Sequence, residues 1–205
     1  MLTSKSSDRP NPPTRQRLLD AAERLMRTVG LAAATTKAIA REAGCSEGAL
    51  YKHFANKEEL FVCVLVERSP NAAPLMAELA ADPGSRSVEE HLTAIARHAA
   101  LFYAEAMPVA ASLFADPPLL SRHRDGLHEI GRGPHLVLDA LTGYLERELA
   151  QGRLRPDADP YAAAALLLGA CFQRAFFLHF SGESMVRPIE EFAPAVAGTT
   201  WAALR

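Results

Sequence analysis

Residues 35 to 61 read TTKAIAREAGCSEGALYKHFANKEELF, and Gly44 divides the stretch into two short segments, neither able to bury enough surface alone. Thr35 and Thr36 carry hydroxyls that can accept from the free N–H groups of a helix start. Ile39, Ala40 and Ala43 then fall on one inward side. Glycine most cheaply takes the left-handed conformation that closes a helix, so the first segment is predicted to end at Gly44. Ser46 is a good N-cap for a second helix, which makes Gly44, Cys45 and Ser46 the turn. From Glu47 onward, Leu50 and Phe54 lie four apart on one face. Glu47, Gly48, Tyr51 and Lys52 lie on the other, free to meet a partner. Two short helices so joined have the layout of a helix-turn-helix, whose second helix enters a DNA groove.

The flanking segments supply what the pair lacks. Thr14 is placed to cap a helix in which Leu18, Leu19, Ala22, Leu25, Met26 and Val29 share a face, and Gly30 ends it. This stripe forms the small core on which the motif rests. Asn56 with Glu59 three residues on is a capping-box arrangement, and Phe61, Val62, Leu65 and Val66 carry that helix to about Ser69. It is expected to join two domains.

The string from Ala49, A-L-Y-K-H-F-A-N-K-E-E-L, sets Leu-Tyr, His-Phe and Lys-Glu at fixed spacing. Over roughly Thr14 to Phe61 the chain resembles the DNA-binding domain of the tetracycline-repressor (TetR) family of bacterial transcriptional regulators. The resemblance implies that Thr35 and Thr36 contact phosphate and that Lys37 points toward a base edge or phosphate. It also implies that Glu47, Gly48 and Ala49 lie against bases, with Ser46 in the same DNA-facing set. Tyr51, Lys52 and His53 would reach the backbone or groove wall, and Lys57 would bind phosphate from the next helix.

Hydroxyls, helix-start amides and ammonium groups donate to phosphate oxygens, which sets register without reading sequence. Small residues at 48 and 49 allow close approach, so the Ala49 methyl can touch a thymine methyl and Glu47 can accept from cytosine N4. Glu47 has an equal alternative, complementing the helix dipole at the first turn. Tyr51 is either core or contact, and the inward face is already filled by Leu50 and Phe54. His53 rests mainly on the resemblance, its alternative being a satisfied surface histidine. Cys45 stands where valine is commoner and reads as a small core hydrophobe, with redox sensing as the rival. Lys37 stands where several relatives have arginine, so the two-pronged contact to guanine is lost.

The 205 residues carry a net charge of only −2, which by itself does not suggest a nucleic-acid binder. The average conceals a division. Residues 1 to 57 hold ten Lys and Arg against five Asp and Glu; the remainder hold twelve against nineteen. A positive amino-terminal unit on an acidic body turns one end toward a polyanion. Cys45, Cys63 and Cys171 are odd in number and lack C-x-x-C spacing, so neither a disulfide framework nor a zinc site is indicated, and a reducing cytoplasmic compartment fits. The polar, proline-rich residues 1–13 read as a flexible arm rather than a signal peptide, followed by a DNA-binding domain at 14–61 and a helical body at 70–205. Lys5, Arg9 and Arg15 add phosphate or minor-groove contacts, or are merely solvated.

The body shows no β alternation, and the chain is expected to be all-α with about nine helices. Pro70, Pro74, Pro83 and Gly84 break up the chain after Ser69. Ser87 with Glu90 then caps a helix that Pro108 stops or kinks, with shorter helices at 109–115 and 117–130. A helix follows Pro134 to about Gln151, another runs from Tyr161 to Phe180, and Pro188 opens the last, which Pro194 bends or delays. Residues 152–170 also resemble the carboxy-terminal domains of the family. Residues 161–180 are long enough to cross a bilayer, but Gln173 and Arg174 argue for a buried interface helix. Ala162, Ala165 and Gly169 allow close helix approach, so a homodimer through helices at about 160–180 and 188–204 is expected, an intramolecular core helix being the alternative.

The expected function is a repressor released from a palindromic DNA operator when a small, largely apolar effector enters the body. Phe102, Tyr103, Met107, Phe114, Tyr144, Phe172 and Phe176 are candidates to line its cavity, with His123, His128 or Arg174 supplying polarity. No catalytic residue, cofactor or metal is assigned: G-x-S-x-G, H-E-x-x-H and a phosphate-cradling glycine loop are missing, and His91 and His98 are seven apart. A helical enzyme, or an adaptor keeping the motif as scaffold, is the alternative.

Overall fold

The computed structural model describes residues 12–31, 33–67, 73–80, 86–129, 131 and 133–205. The described residues hold ten α-helices and no strand, and the chain divides into two compact units, Met1–Arg68 and Ser69–Arg205.

The first unit contains α1 (Thr14–Thr28), α2 (Thr36–Glu42), α3 (Glu47–Leu50) and α4 (Lys57–Glu67). Pro13, not Thr14, is the N-cap of α1; the Thr14 hydroxyl instead accepts from the Arg17 guanidinium at 3.3 Å. Leu18, Leu19, Ala22 and Met26 of α1 are buried, as are Ile39, Leu50, Phe54, Leu60 and Phe61; α1 packs against α2 and α4, and α2 against α3. Each short helix adds one apolar edge to this shared core, which is what stabilises segments of four to seven residues. The capping box of α4 closes one residue early: Asn56 Oδ1 accepts from Glu59 N–H, but the Glu59 carboxylate reaches back to Ala55 N–H.

The second unit comprises α5 (Ala73–Ala80), α6 (Val88–Phe114), α7 (Pro117–Glu129), α8 (His135–Ala150), α9 (Pro160–Ser181) and α10 (Ile189–Leu204). α5 lies where the sequence pattern shows only proline breaks. Pro74 falls in its first turn, where a missing N–H costs nothing. The predicted separate helix at 109–115 is also absent, because α6 runs unbroken through Pro108. Pro194 likewise sits inside α10 without delaying its start. α8 ends at Gly152, φ +70°, with Arg153 N–H donating to Glu148 C=O and Gly152 N–H to Leu149 C=O.

The core of this unit gathers Leu92, Ile95 and Ala99 of α6, Leu141 and Leu145 of α8, and Ala164, Leu167 and Cys171 of α9 around one apolar centre. α9 is long and apolar enough to cross a membrane by length and composition, but its inner side packs against α6, α8 and α10.

Candidate nucleic-acid interface

Backbone bonds set the turn between α2 and α3. Gly44, at φ +64°, lets its own N–H reach Arg41 C=O at 3.1 Å while Cys45 N–H reaches Ala40 C=O at 2.9 Å. The chain then enters α3 at Ser46, whose hydroxyl accepts from Ala49 N–H at 3.2 Å; Thr35 does the same for Ala38 N–H at the start of α2. Both cap hydroxyls therefore act as acceptors and keep their own protons for a further partner.

α3 is short. Beyond Leu50 the chain continues in tight turns, with His53 N–H and Phe54 N–H both donating to Leu50 C=O at 2.9 and 3.1 Å. These turns keep Leu50 and Phe54 buried on the inner face and leave Glu47, Gly48, Tyr51, Lys52 and His53 exposed on the outer one. Tyr51 is 51% exposed, so its ring is not part of the core. Ala49 is half-buried, and Thr35, Lys37 and Ser46 are exposed. A Cβ added to Gly48 would meet nothing closer than Ser46 Oγ at 3.9 Å, so internal packing does not require glycine there.

Two candidates are engaged inside the protein. The Thr36 hydroxyl donates to Glu47 Oε1 at 2.5 Å, joining the first turns of α2 and α3. Lys57 is half-buried, its ammonium 3.4 Å from Leu31 C=O and 5.0 Å from the centroid of the Phe61 ring, a tether the sequence reading did not foresee.

Arg15 is corrected from an arm residue to a structural one. It lies in α1, donates to both oxygens of Glu67 at 2.8 and 2.6 Å, and sits 5.4 Å from the Phe54 ring. That pairing holds its guanidinium further above its already high value, and burial beside Glu67 pushes the Cys63 thiol up. Lys5 and Arg9 lie outside the described residues. Cys45 is half-buried rather than core. Sequence reading missed Arg17, whose Nη1 stands 3.7 Å from the position of a Cβ on Gly44; only the fold brings α1 to the turn.

In the second unit the effector candidates separate. Tyr103 of α6 meets its neighbour Phe102 at 5.3 Å and Phe172 of α9 edge to face at 5.6 Å, and burial raises the Tyr103 hydroxyl. Met107 is buried. Tyr144 is elsewhere in this core, edge-on to His91 at 4.5 Å with its hydroxyl raised by burial. Phe114 is 71% exposed and Phe176 stacks on Phe180 at the outer face of α9, so neither joins the Tyr103 group, whose Phe172 is itself exposed. Arg174 donates to Arg187 C=O at 3.2 and 3.0 Å and lies 5.5 Å from the Phe192 ring, which commits it to the chain ahead of α10. His123 is half-buried with its basicity lowered by desolvation, and His128 is exposed. Among the described residues, no group of three or more His, Cys, Asp or Glu is placed to hold a metal.

The sequence profile described as bacterial regulatory proteins, tetR family, matches residues 18–64, the four-helix unit just described. The transcriptional repressor AcnR of Corynebacterium diphtheriae is 31% identical over 144 residues, covering 70% of this chain and 69% of that protein. YvkB of Bacillus subtilis, named as a helix-turn-helix regulator, is 37% identical over 70 residues; the match spans 34% of this chain and little more than a third, 37%, of YvkB. A solved structure from Mesorhizobium loti, titled a TetR-family regulator, superposes with a TM-score of 0.76 at 20% identity, covering 96% of this chain and 99% of that one. The profile match falls within the helix-turn-helix unit, and the match to AcnR extends over two thirds of that repressor. The chain belongs to the TetR family of bacterial transcriptional regulators.

Proposed function

We propose that this regulator binds a palindromic DNA operator as a homodimer and represses until a small, largely apolar effector enters the second unit. The observation that carries the DNA reading is the division of the segment after Ser46. Leu50 and Phe54 anchor it to the core, while Glu47, Gly48, Tyr51, Lys52 and His53 face solvent. Thr35 and Ser46 keep their hydroxyl protons, and Lys37, Lys52 and Lys57 supply cations for phosphate.

The homodimer is supported by α9. Six of the twelve large apolar side chains exposed among the described residues belong to it: Tyr161, Leu166, Phe172, Phe176, Phe177 and Phe180. Such a patch on one helix supports an interface between copies. Gly169 lies within it with open space where a Cβ would stand, and the half-buried Ala162 and Ala165 border it. A dimer can present two recognition helices to half-sites about 34 to 36 Å apart. For the effector, the candidates turned toward the core are Phe102, Tyr103, Met107 and Tyr144, whereas Phe172 belongs to the exposed face of α9. A cytoplasmic site of action follows from this reading.

Selection of bound duplexes from a random pool by the purified protein tests the proposal. Enrichment of a two-fold symmetric sequence is expected, with affinity falling in log–log proportion to salt by about 0.9 per phosphate neutralised. Weak binding with no preferred sequence would favour an adaptor that keeps the motif as scaffold.

A further inference from the structure

The hydrogen bond between Thr36 and Glu47 carries a step beyond DNA binding, and that step rests on the DNA-binding reading above. Thr36 opens α2 and Glu47 opens α3, eleven residues later, yet the hydroxyl donates to Oε1 at 2.5 Å. A hydroxyl has one proton. While Glu47 holds it, Thr36 has no donor for a phosphate oxygen. The bond also constrains a side chain that would otherwise turn freely at the exposed front of the recognition helix. Oε2 carries no intramolecular bond among the described residues, so the carboxylate presents a fixed, acceptor-only edge where the first residues of such a helix meet base edges.

We infer that Thr36 is a positioning residue for Glu47, and that together they select one base of each half-site. An acceptor-only group favours a base that donates in the major groove, cytosine N4 foremost and adenine N6 next. It rejects guanine and thymine, which present O6, N7 or O4 acceptors at that place. Thr36 thus acts on specificity through the carboxylate rather than on affinity through the backbone.

The test is the same random-pool selection run on the full-length wild type and on Thr36→Val, Thr36→Ser and Glu47→Gln, with far-UV circular dichroism confirming that each folds. The wild type should enrich cytosine or adenine at one symmetric position. Glu47→Gln, which adds a donor, should admit guanine or thymine there. Thr36→Val should relax that same position by at least about fivefold in relative affinity, the range for one mismatched base pair, leaving non-specific affinity and its salt slope unchanged. Thr36→Ser should restore the preference. A Thr36→Val protein that loses affinity equally for all sequences, with preference intact, would make Thr36 a phosphate contact and overturn the inference. So would a wild-type operator whose base preferences are all untouched by Glu47→Gln. If the wild type enriches no sequence at all, the DNA-binding reading itself fails, a result distinct from either.

Discussion

Two glycines four residues apart separate what the fold needs from what a partner needs. Gly44 sits at φ +64°, and a Cβ there would meet Arg17 Nη1 at 3.7 Å, an ordinary contact. The cost of Gly44→Ala is therefore conformational, about 1 to 2 kcal/mol for forcing a side chain into the left-handed region. Gly44→Asn should cost less, since asparagine visits that region more readily. Gly48 has no positive φ and no neighbour inside 3.9 Å. Gly48→Ala should then leave stability unchanged or raise it by up to about 1 kcal/mol through helix propensity. Its effect belongs to DNA: a methyl on the outer face should hold the helix away from the groove and weaken operator binding. Urea denaturation separates the first pair of variants, and operator titration reads the second. Loss of stability without loss of affinity in Gly48→Ala would remove that glycine from the interface.

At the level of elements, α6 shows why some of the fold was hidden in the sequence. Pro108 has no N–H, so Ala104 C=O loses its donor within the helix, and a sequence reading ends or kinks the helix there. The structure supplies the bond from α9, where His179 Nε2 donates to Ala104 C=O at 2.7 Å. A residue 75 positions away cannot be found from local pattern. The cap of the same helix was legible because its parts are three residues apart: Ser87 Oγ accepts from Glu90 N–H, and the Glu90 carboxylate accepts from Ser87 N–H at 2.8 Å. The helix-turn-helix was legible for the same reason, every signal lying within the turn or one helical period of it. The effector candidates were not, because aromatic residues on amphipathic helices look alike whether they end inside, as Tyr144, or outside, as Phe176.

Two measurements follow at this scale. Removing the donor in His179→Ala should destabilise the protein by about 1 kcal/mol. In a Pro108→Ala background, where residue 108 again donates to Ala104, the same change should cost less. The cycle should show a coupling of about 0.5 kcal/mol or more, and strict additivity would mean the histidine does not answer the proline. The Ser87 N–H and hydroxyl hold the Glu90 carboxyl below the usual carboxylate range. Its contribution is therefore present above its unfolded value and disappears as pH falls through the lower folded one. Glu90→Gln should flatten this acid limb in a pH titration followed by circular dichroism; an unaltered limb would assign the pH dependence to other carboxylates.

For the whole molecule, charge and apolar surface lie on different parts of the chain. The first 57 residues carry a formal surplus of positive charge and the remaining 148 a surplus of negative charge. The apolar patch is on α9 of the acidic unit. Electrostatics can orient each chain toward DNA, but selectivity needs two recognition helices held at fixed separation, which the proposed homodimer assigns to the uncharged face. Gly169 tests this without disturbing the fold. No atom lies within 4 Å of where its Cβ would stand, so Gly169→Leu should leave the chain folded and as helical as before. Between two closely packed helices the same side chain would push the backbones apart. The variant should sediment as a monomer at concentrations where the wild type is a dimer. Operator affinity should fall by at least about tenfold, roughly 1.4 kcal/mol, as two linked half-site contacts become independent. Non-specific binding per chain should be retained, because the first unit is unaltered. A Gly169→Leu protein that remains dimeric with full operator affinity would place the interface on another surface and leave the α9 aromatics to be accounted for by a different partner.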